Sequence, residues 1–147
     1  MHYKQAMPHD YDLIMELWSK SVQATHPFVR AEDLRQIHGE IPAYLPHLDV
    51  RLWYADNDVC IGFSGVQGHH LEMLFLDPEY TGRGYGTQIM RRLVGESGVT
   101  SVDVNKDNGP AIAFYKKNGF AVVGEEPTDG EGRPYPILHM KRTTGMG

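Results

Sequence analysis

The stretch from Leu71 to Gly86 holds the densest concentration of residues that could do chemistry. An apolar run, Leu71-Glu72-Met73-Leu74-Phe75-Leu76, is stopped by Asp77-Pro78, and the chain then passes through glycines at 82, 84 and 86. Ile89, Met90, Leu93, Val94 and Ser97 follow at helical spacing. Strand, glycine turn and helix in that order bring unpaired backbone N–H groups and the positive end of a helix dipole to one place, which suits an anion such as a phosphate. Two common phosphate loops fail on spacing. A Walker loop closes in Gly-Lys-Ser or Gly-Lys-Thr, where this chain has Gly86-Thr87-Gln88. A dinucleotide loop reads Gly-x-Gly-x-x-Gly, which is not the alternation seen here.

A second constellation runs Asn105-x-x-Asn108-x-x-Ala111-x-x-Phe114-Tyr115-x-x-x-Gly119-Phe120. Taken together, the two patterns resemble the GNAT superfamily of N-acetyltransferases. Positions 81 to 86 match that family's pyrophosphate loop (Gln or Arg, two residues, Gly, one residue, Gly or Ala), except that Thr81 stands where a long polar side chain is usual. The second pattern is similar to the family's Asn, small residue and Tyr on the helix after the fifth strand, ending in Gly-Phe. The resemblance covers essentially the whole chain. The segment Trp18-x-x-Ser21-Val22-x-Ala24-Thr25-His26-x-Phe28 and the run Gly132-Arg133-Pro134-Tyr135-Pro136 are similar to a small bacterial YjaB-like subgroup associated with lysine acetylation.

The resemblance implies an α/β (α+β) fold: a mixed, mostly antiparallel sheet of six to seven strands with four helices, split in a V between the fourth and fifth strands. It implies acetyl-CoA as cosubstrate and no metal. Backbone N–H groups around Leu74, Phe75 and Leu76 would hold the thioester oxygen and the pantetheine arm. Thr81, Gly82, Arg83, Gly84, Tyr85, Gly86 and Thr87 would take the pyrophosphate, and Asn108 and Ala111 would meet the pantetheine. Tyr115 would be the general acid, since a phenol keeps its proton at neutral pH and can give it to a departing thiolate. Glu72 would be the general base, with desolvation by its apolar neighbours raising its pKa. His70, His26 and a shared water are the other readings of the base. The acceptor amine, on a small molecule, a peptide lysine or a peptide N-terminus, would lie near Ser21, His26, Phe28, His70 and Tyr135, with Trp53 as a wall. The alternative function is a CoA-binding sensor or regulatory module with little turnover, for which Thr81 leaves room. Pairing of two copies through the last strands is a further expectation of the family.

The elements that must position these groups can be read in order. Residues 2 to 6 suit an edge strand, and Asp10 suits the N-cap of a helix with Tyr11, Ile14, Leu17, Trp18 and Val22 inward. A second helix is expected over Ala31 to about Gly39, with Pro42 as a break before Leu45. Strands follow over Val50–Ala55, Val59–Val66 and His69–Leu76, then a helix from Gly84 to about Glu96 and a strand over Val99–Val104. Pro110 opens a helix over Ala111–Asn118, with Gly119 placed to end it. Strands over Phe120–Glu125 and Tyr135–Lys141 close the series, with a frayed tail from Thr143.

At 147 residues the chain is sized for one domain, residues 1–147. Its 41% hydrophobic and 22% charged content is ordinary for a globular protein and argues against disorder. A net charge of −5 without a dense Lys/Arg cluster argues against nucleic acid as a partner. No apolar run reaches the roughly 20 residues of a membrane span, and no signal-peptide core is evident, so a cytoplasmic location is expected. The lone Cys60 cannot form an internal disulfide and reads as a small core residue. The eight histidines are scattered and show no zinc-like spacing.

Overall fold

The computed structural model describes residues 1–143. The elements are β1 (His2–Gln5), α1 (Tyr11–Thr25), α2 (Ala31–Tyr44), β2 (Asp49–Tyr54), β3 (Cys60–Gln67), β4 (His70–Leu76), α3 (Tyr85–Ser97), β5 (Ser101–Asn105), α4 (Gly109–Lys117), β6 (Phe120–Glu126) and β7 (Ile137–Arg142). Short 3-10 turns lie at Pro8–Asp10, Leu45–His47 and Pro78–Tyr80. The strands form one sheet in the order β1-β2-β3-β4-β5-β7-β6. Every pairing is antiparallel except β4 with β5, which run parallel. This is the mixed, mostly antiparallel architecture that the family resemblance implies.

Two apolar clusters cover the two faces of the sheet. On one face Ile14, Leu17, Trp18 and Val22 of α1 and Ile41 of α2 pack against Val50, Leu52 and Phe63. On the other, Ile89, Met90 and Leu93 of α3 and Tyr115 of α4 pack against Ile61, Leu71, Val102, Val104, Leu138 and Met140. The helical spacing in α1 and α3 is thus spent on burial, each large aliphatic side chain contributing about 1.5–3 kcal/mol. Among the described residues, no helix is long and apolar enough to cross a membrane.

Several expectations need correction. α2 does not break at Pro42 but runs on to Tyr44, and the Leu45 N–H still donates to the Ile41 carbonyl. Proline removes one intrahelical bond, and in the exposed last turn that loss is small. Asp10 does not cap α1 with its side chain: its Oδ2 accepts from the Met7 N–H at 2.9 Å, closing the 3-10 turn that leads into the helix. Trp53 walls no acceptor site, being fully buried in the α3–α4 cluster and donating its Nε1–H to Ser64 Oγ at 2.9 Å. Thr143 donates its N–H to the Gly119 carbonyl at 2.9 Å, and the rest of the expected tail lies outside the described residues.

β7 begins at Ile137 instead of Tyr135 because Tyr135 is held elsewhere. Its hydroxyl donates to Asp33 Oδ2 and accepts from the Arg30 N–H at 3.1 Å. The same β6–β7 loop reaches α2 twice more, through Arg133 Nη2 to Glu40 Oε2 at 2.6 Å and through Tyr44 Oη donating to Glu131 Oε1 at 2.9 Å. Loop and helix are fastened together across the end of the sheet.

Candidate active site

The site begins with a fault in strand pairing. Val66 pairs with Leu71 and Gly65 with Met73, so Glu72 is an extra residue of β4 with no partner on β3. A bulge of this kind bends its strand and re-aims the side chains beyond it. Leu71 belongs to the α3–α4 cluster, while Met73 and Phe75 pack with the α1–α2 cluster and Leu74 and Leu76 with the α3–α4 cluster. β4 also leaves β5 at this point. The two strands pair only at His70 with Ser101 and Leu71 with Val102, and beyond them the sheet stands open. This is the split between the fourth and fifth strands.

The exposed edge of β4 is polar backbone. The Asp77 N–H donates to the Ile61 carbonyl on the β3 side at 2.8 Å. Backbone groups alternate along a strand, so those of Leu76 and Leu74 point the other way, into the split. No strand pairs with them there.

The glycine loop closes one end. Gly82 and Gly84 take φ values of +75° and +86°, a conformation that side chains disfavour by roughly 1–2 kcal/mol. Gly84 leads directly into α3, whose first N–H groups have no intrahelical partner. Gly86 is needed for a different reason: a Cβ there would lie 3.0 Å from the Phe114 ring, which rests on the start of α3. Phe114 thereby ties the loop to α4. At the other end of α4, Asn108 Oδ1 accepts from the Ala111 N–H at 3.2 Å as a buried N-cap.

These elements enclose a cleft of about 630 Å³. Of the residues expected from the sequence, it brings together Ser21, His26, Glu72, Leu74, Phe75, Leu76, Thr81, Gly82, Gly84, Gly86, Thr87, Asn108, Ala111 and Tyr115. Tyr115 is buried, burial pushes its phenol pKa up, and among the described residues its hydroxyl has no hydrogen-bond partner. Glu72 is exposed, so the burial expected from its apolar neighbours is absent.

His26 is placed with more definition. Thr25 Oγ1 lies 2.8 Å from the Ser21 carbonyl oxygen and 2.7 Å from His26 Nδ1. The ring tilts against Phe28 at 5.3 Å and Phe75 at 6.5 Å between centroids. Burial pushes its pKa below the usual value, so the ring is neutral at pH 7.

Besides Trp53, five expected residues lie outside the lining. Arg83 sets its guanidinium 5.1 Å from the Tyr80 ring centroid, and Tyr85 packs edge-on against the same ring. Phe28 stands behind His26. His70 sits at the closed end of the split, where Nδ1 lies 2.6 Å from Ser101 Oγ. Tyr135 belongs to the fastening between loop and α2.

The lining also includes Thr25, Met73, Asp103, Phe114 and Lys117, which were not expected there. Asp103 had a readable signal, a polar residue between Val102 and Val104 in a strand whose valines face the core. Its Oδ1 lies 2.7 Å from His139 Nδ1. Among the described residues, no three His, Cys, Asp or Glu side chains gather as metal ligands.

Comparison with known proteins bears on the whole chain. A family model described as "Acetyltransferase (GNAT) domain" matches residues 49–122. The chain is 35% identical over 129 residues to the peptidyl-lysine N-acetyltransferase YjaB of Escherichia coli (strain K12), with 86% of each chain covered. The solution structure of apo-form YjaB from Escherichia coli is similar at a TM-score of 0.88 and 29% identity, covering 97% of each chain. The PaiA N-acetyltransferase from Thermoplasma acidophilum, in complex with coenzyme A, shares the fold at a TM-score of 0.64 and 22% identity, covering 95% of this chain and 98% of that one. The split sheet, the glycine turn at the head of α3 and these likenesses agree, and the chain belongs to the GNAT superfamily of N-acetyltransferases.

Proposed function

We propose that this chain transfers the acetyl group of acetyl-CoA to the side-chain amine of a peptide lysine, by direct attack in a complex that holds both substrates. The observation that carries the reading is the shared cleft: the open edge of β4, the glycine loop and Tyr115 all face one cavity. The name of the YjaB relative, a peptidyl-lysine N-acetyltransferase, supports the acceptor class.

The residues present fit the cofactor. The amides at the start of α3, reached through two left-handed glycines, suit a pyrophosphate. The unpaired amides of Leu74 and Leu76 suit the amide-bearing pantetheine arm and the thioester oxygen, where a donor set in advance is worth about 3 kcal/mol. Asn108 spends its side-chain oxygen on the Ala111 N–H and keeps its amide hydrogens for the cleft. Thr81 spends its hydroxyl on the Pro78 carbonyl at 2.9 Å, so this position contributes backbone in place of the longer side chain usual in the family.

When bound, acetyl-CoA supplies an acetyl group already activated as a thioester. The chain's own part is to position that group and manage protons. Tyr115 Oη holds a proton throughout the neutral range, because burial disfavours the phenolate, and delivers it where a thiolate develops. In the same cleft, Glu72 attracts the incoming ammonium, and together with His26 it removes the proton that keeps the amine from attacking.

A lysine-containing peptide and acetyl-CoA, followed by release of free thiol and by mass gain on the peptide, tests this reading. Thiol release only in the presence of the amine supports it. Tight CoA binding without transfer to any amine, peptide or small, would support the sensor reading instead.

A further inference from the structure

A carbonyl oxygen can only accept a hydrogen bond, and a threonine hydroxyl has one hydrogen to give. Thr25 Oγ1 touches two atoms, the Ser21 carbonyl oxygen at 2.8 Å and His26 Nδ1 at 2.7 Å. Both contacts are satisfied in a single arrangement: Thr25 donates to Ser21, and His26 donates from Nδ1 to Thr25. The imidazole then carries its hydrogen on Nδ1 and leaves Nε2 bare. The geometry around it is firm. His26 donates its backbone N–H to the Val22 carbonyl at 2.8 Å, which pins the residue to the last turn of α1. Phe28 and Phe75 flank the ring.

Resting on the acetyl-transfer reading above, we propose that Thr25 is a positioning residue of the reaction: by holding the hydrogen of His26 on Nδ1 it makes Nε2 the atom that takes the proton from the acceptor ammonium. One proton leaves the ammonium nitrogen and lands on Nε2, the nitrogen keeps the electron pair with which it attacks, and the imidazolium passes its extra proton to solvent. Ser21 takes part through its backbone carbonyl, so its side chain is free of this duty. The chain Ser21 carbonyl, Thr25 hydroxyl, His26 imidazole spans one helical turn, which makes the relay a product of the C-terminus of α1 alone.

The experiment compares wild type with Thr25→Val, which keeps the shape and removes the hydroxyl, and Thr25→Ser, which restores it. Nitrogen-15 NMR of the imidazole in the intact protein reads the tautomer without turnover. Wild type and Thr25→Ser should hold the hydrogen on Nδ1, and Thr25→Val should lose that preference. With a lysine peptide and acetyl-CoA, Thr25→Val should lower kcat about tenfold, a fraction of what a general base contributes, with KM little changed. Thr25→Ser should recover most of it. A wild-type ring with its hydrogen on Nε2 overturns the proposal whatever the activity. So does a normal kcat in a folded Thr25→Val protein that has lost the tautomer. Failure of wild type to acetylate any amine, with the Nδ1–H tautomer present, overturns the acetyl-transfer reading and with it the catalytic duty of His26, leaving the tautomer as a structural fact.

Discussion

Leu71 and Met73 are two positions apart in one strand yet face opposite sides of the sheet, because Glu72 between them is the extra residue of a bulge. In a regular strand they would share a face. The inserted residue reverses the alternation just where β4 leaves β5, so the change of face and the opening of the cleft coincide. Deleting Glu72 should therefore do far more than Glu72→Gln. The deletion makes Leu71 and Met73 adjacent and keeps Met73 to Leu76 on their present faces, so the chain should still unfold cooperatively. It removes the bend at the mouth of the cleft, however, and should weaken CoA binding in calorimetric titration. Glu72→Gln keeps the bulge and should melt and bind CoA near wild type. Circular dichroism melts and CoA titrations of the two variants make the comparison.

Tyr115→Phe removes the cleft hydroxyl and leaves the buried ring in place. We expect kcat to fall about a hundredfold, in the range of a lost general acid, with CoA affinity nearly unchanged. Thiol-release kinetics and calorimetric titration with CoA read the two quantities separately. Unchanged kcat would remove the phenol from the mechanism.

The acid limb of the kcat/KM profile should report His26. Burial lowers its pKa from an ordinary value of 6.5, so the base is free at neutral pH and is lost only as pH falls further. The limb should have a midpoint below 6.5, and His26→Gln should flatten it along with lowering the plateau. A limb that survives in His26→Gln belongs to another group.

Two glycines of the loop should fail in different ways. Gly84→Ala imposes a left-handed conformation on alanine and should cost roughly 1 kcal/mol of stability, read by urea melts. Gly86→Ala has no such backbone penalty, but its Cβ would press on the Phe114 ring at 3.0 Å. The ring must shift along the cleft wall, so the larger effect should be on CoA binding, measured by titration.

His139 links pH to stability. Asp103 first, then Glu126, raises its pKa in the folded state above the ordinary 6.5. A raised pKa means that the folded chain binds the proton more tightly, so the stabilisation is fully present below about 6.5 and is lost as pH rises through the raised value. The stability gap between wild type and His139→Gln should narrow over that interval in denaturant melts. A gap that stays constant with pH would mean that packing, and not charge, is what the substitution removes.

Local signals made much of this fold legible. Helical periodicity marked α1 and α3, and the glycine and Asn-to-Tyr patterns marked the loop and α4, because each signal lies within a few residues of what it describes. The bulge at Glu72 was hidden, since register depends on a partner strand. The tie of Tyr135 to α2 is hidden for the same reason: its partner Asp33 lies 102 positions away. His70 was expected in the cleft, but one paired step of β4 with β5 keeps it at the closed end. Asp103 was readable from its place between two core valines, yet only the divergence of β4 turns that position into a wall of the site.

The three ties between the β6–β7 loop and α2 reach further than local rigidity. They brace the outer half of the sheet against a helix that belongs to the inner half, like a strut set across an open door. A ligand arriving at such a doorway meets a frame tied at three points between loop and helix. Its association rate should follow charge and water release, and severing the strut should make entry slower to complete by letting the frame sag.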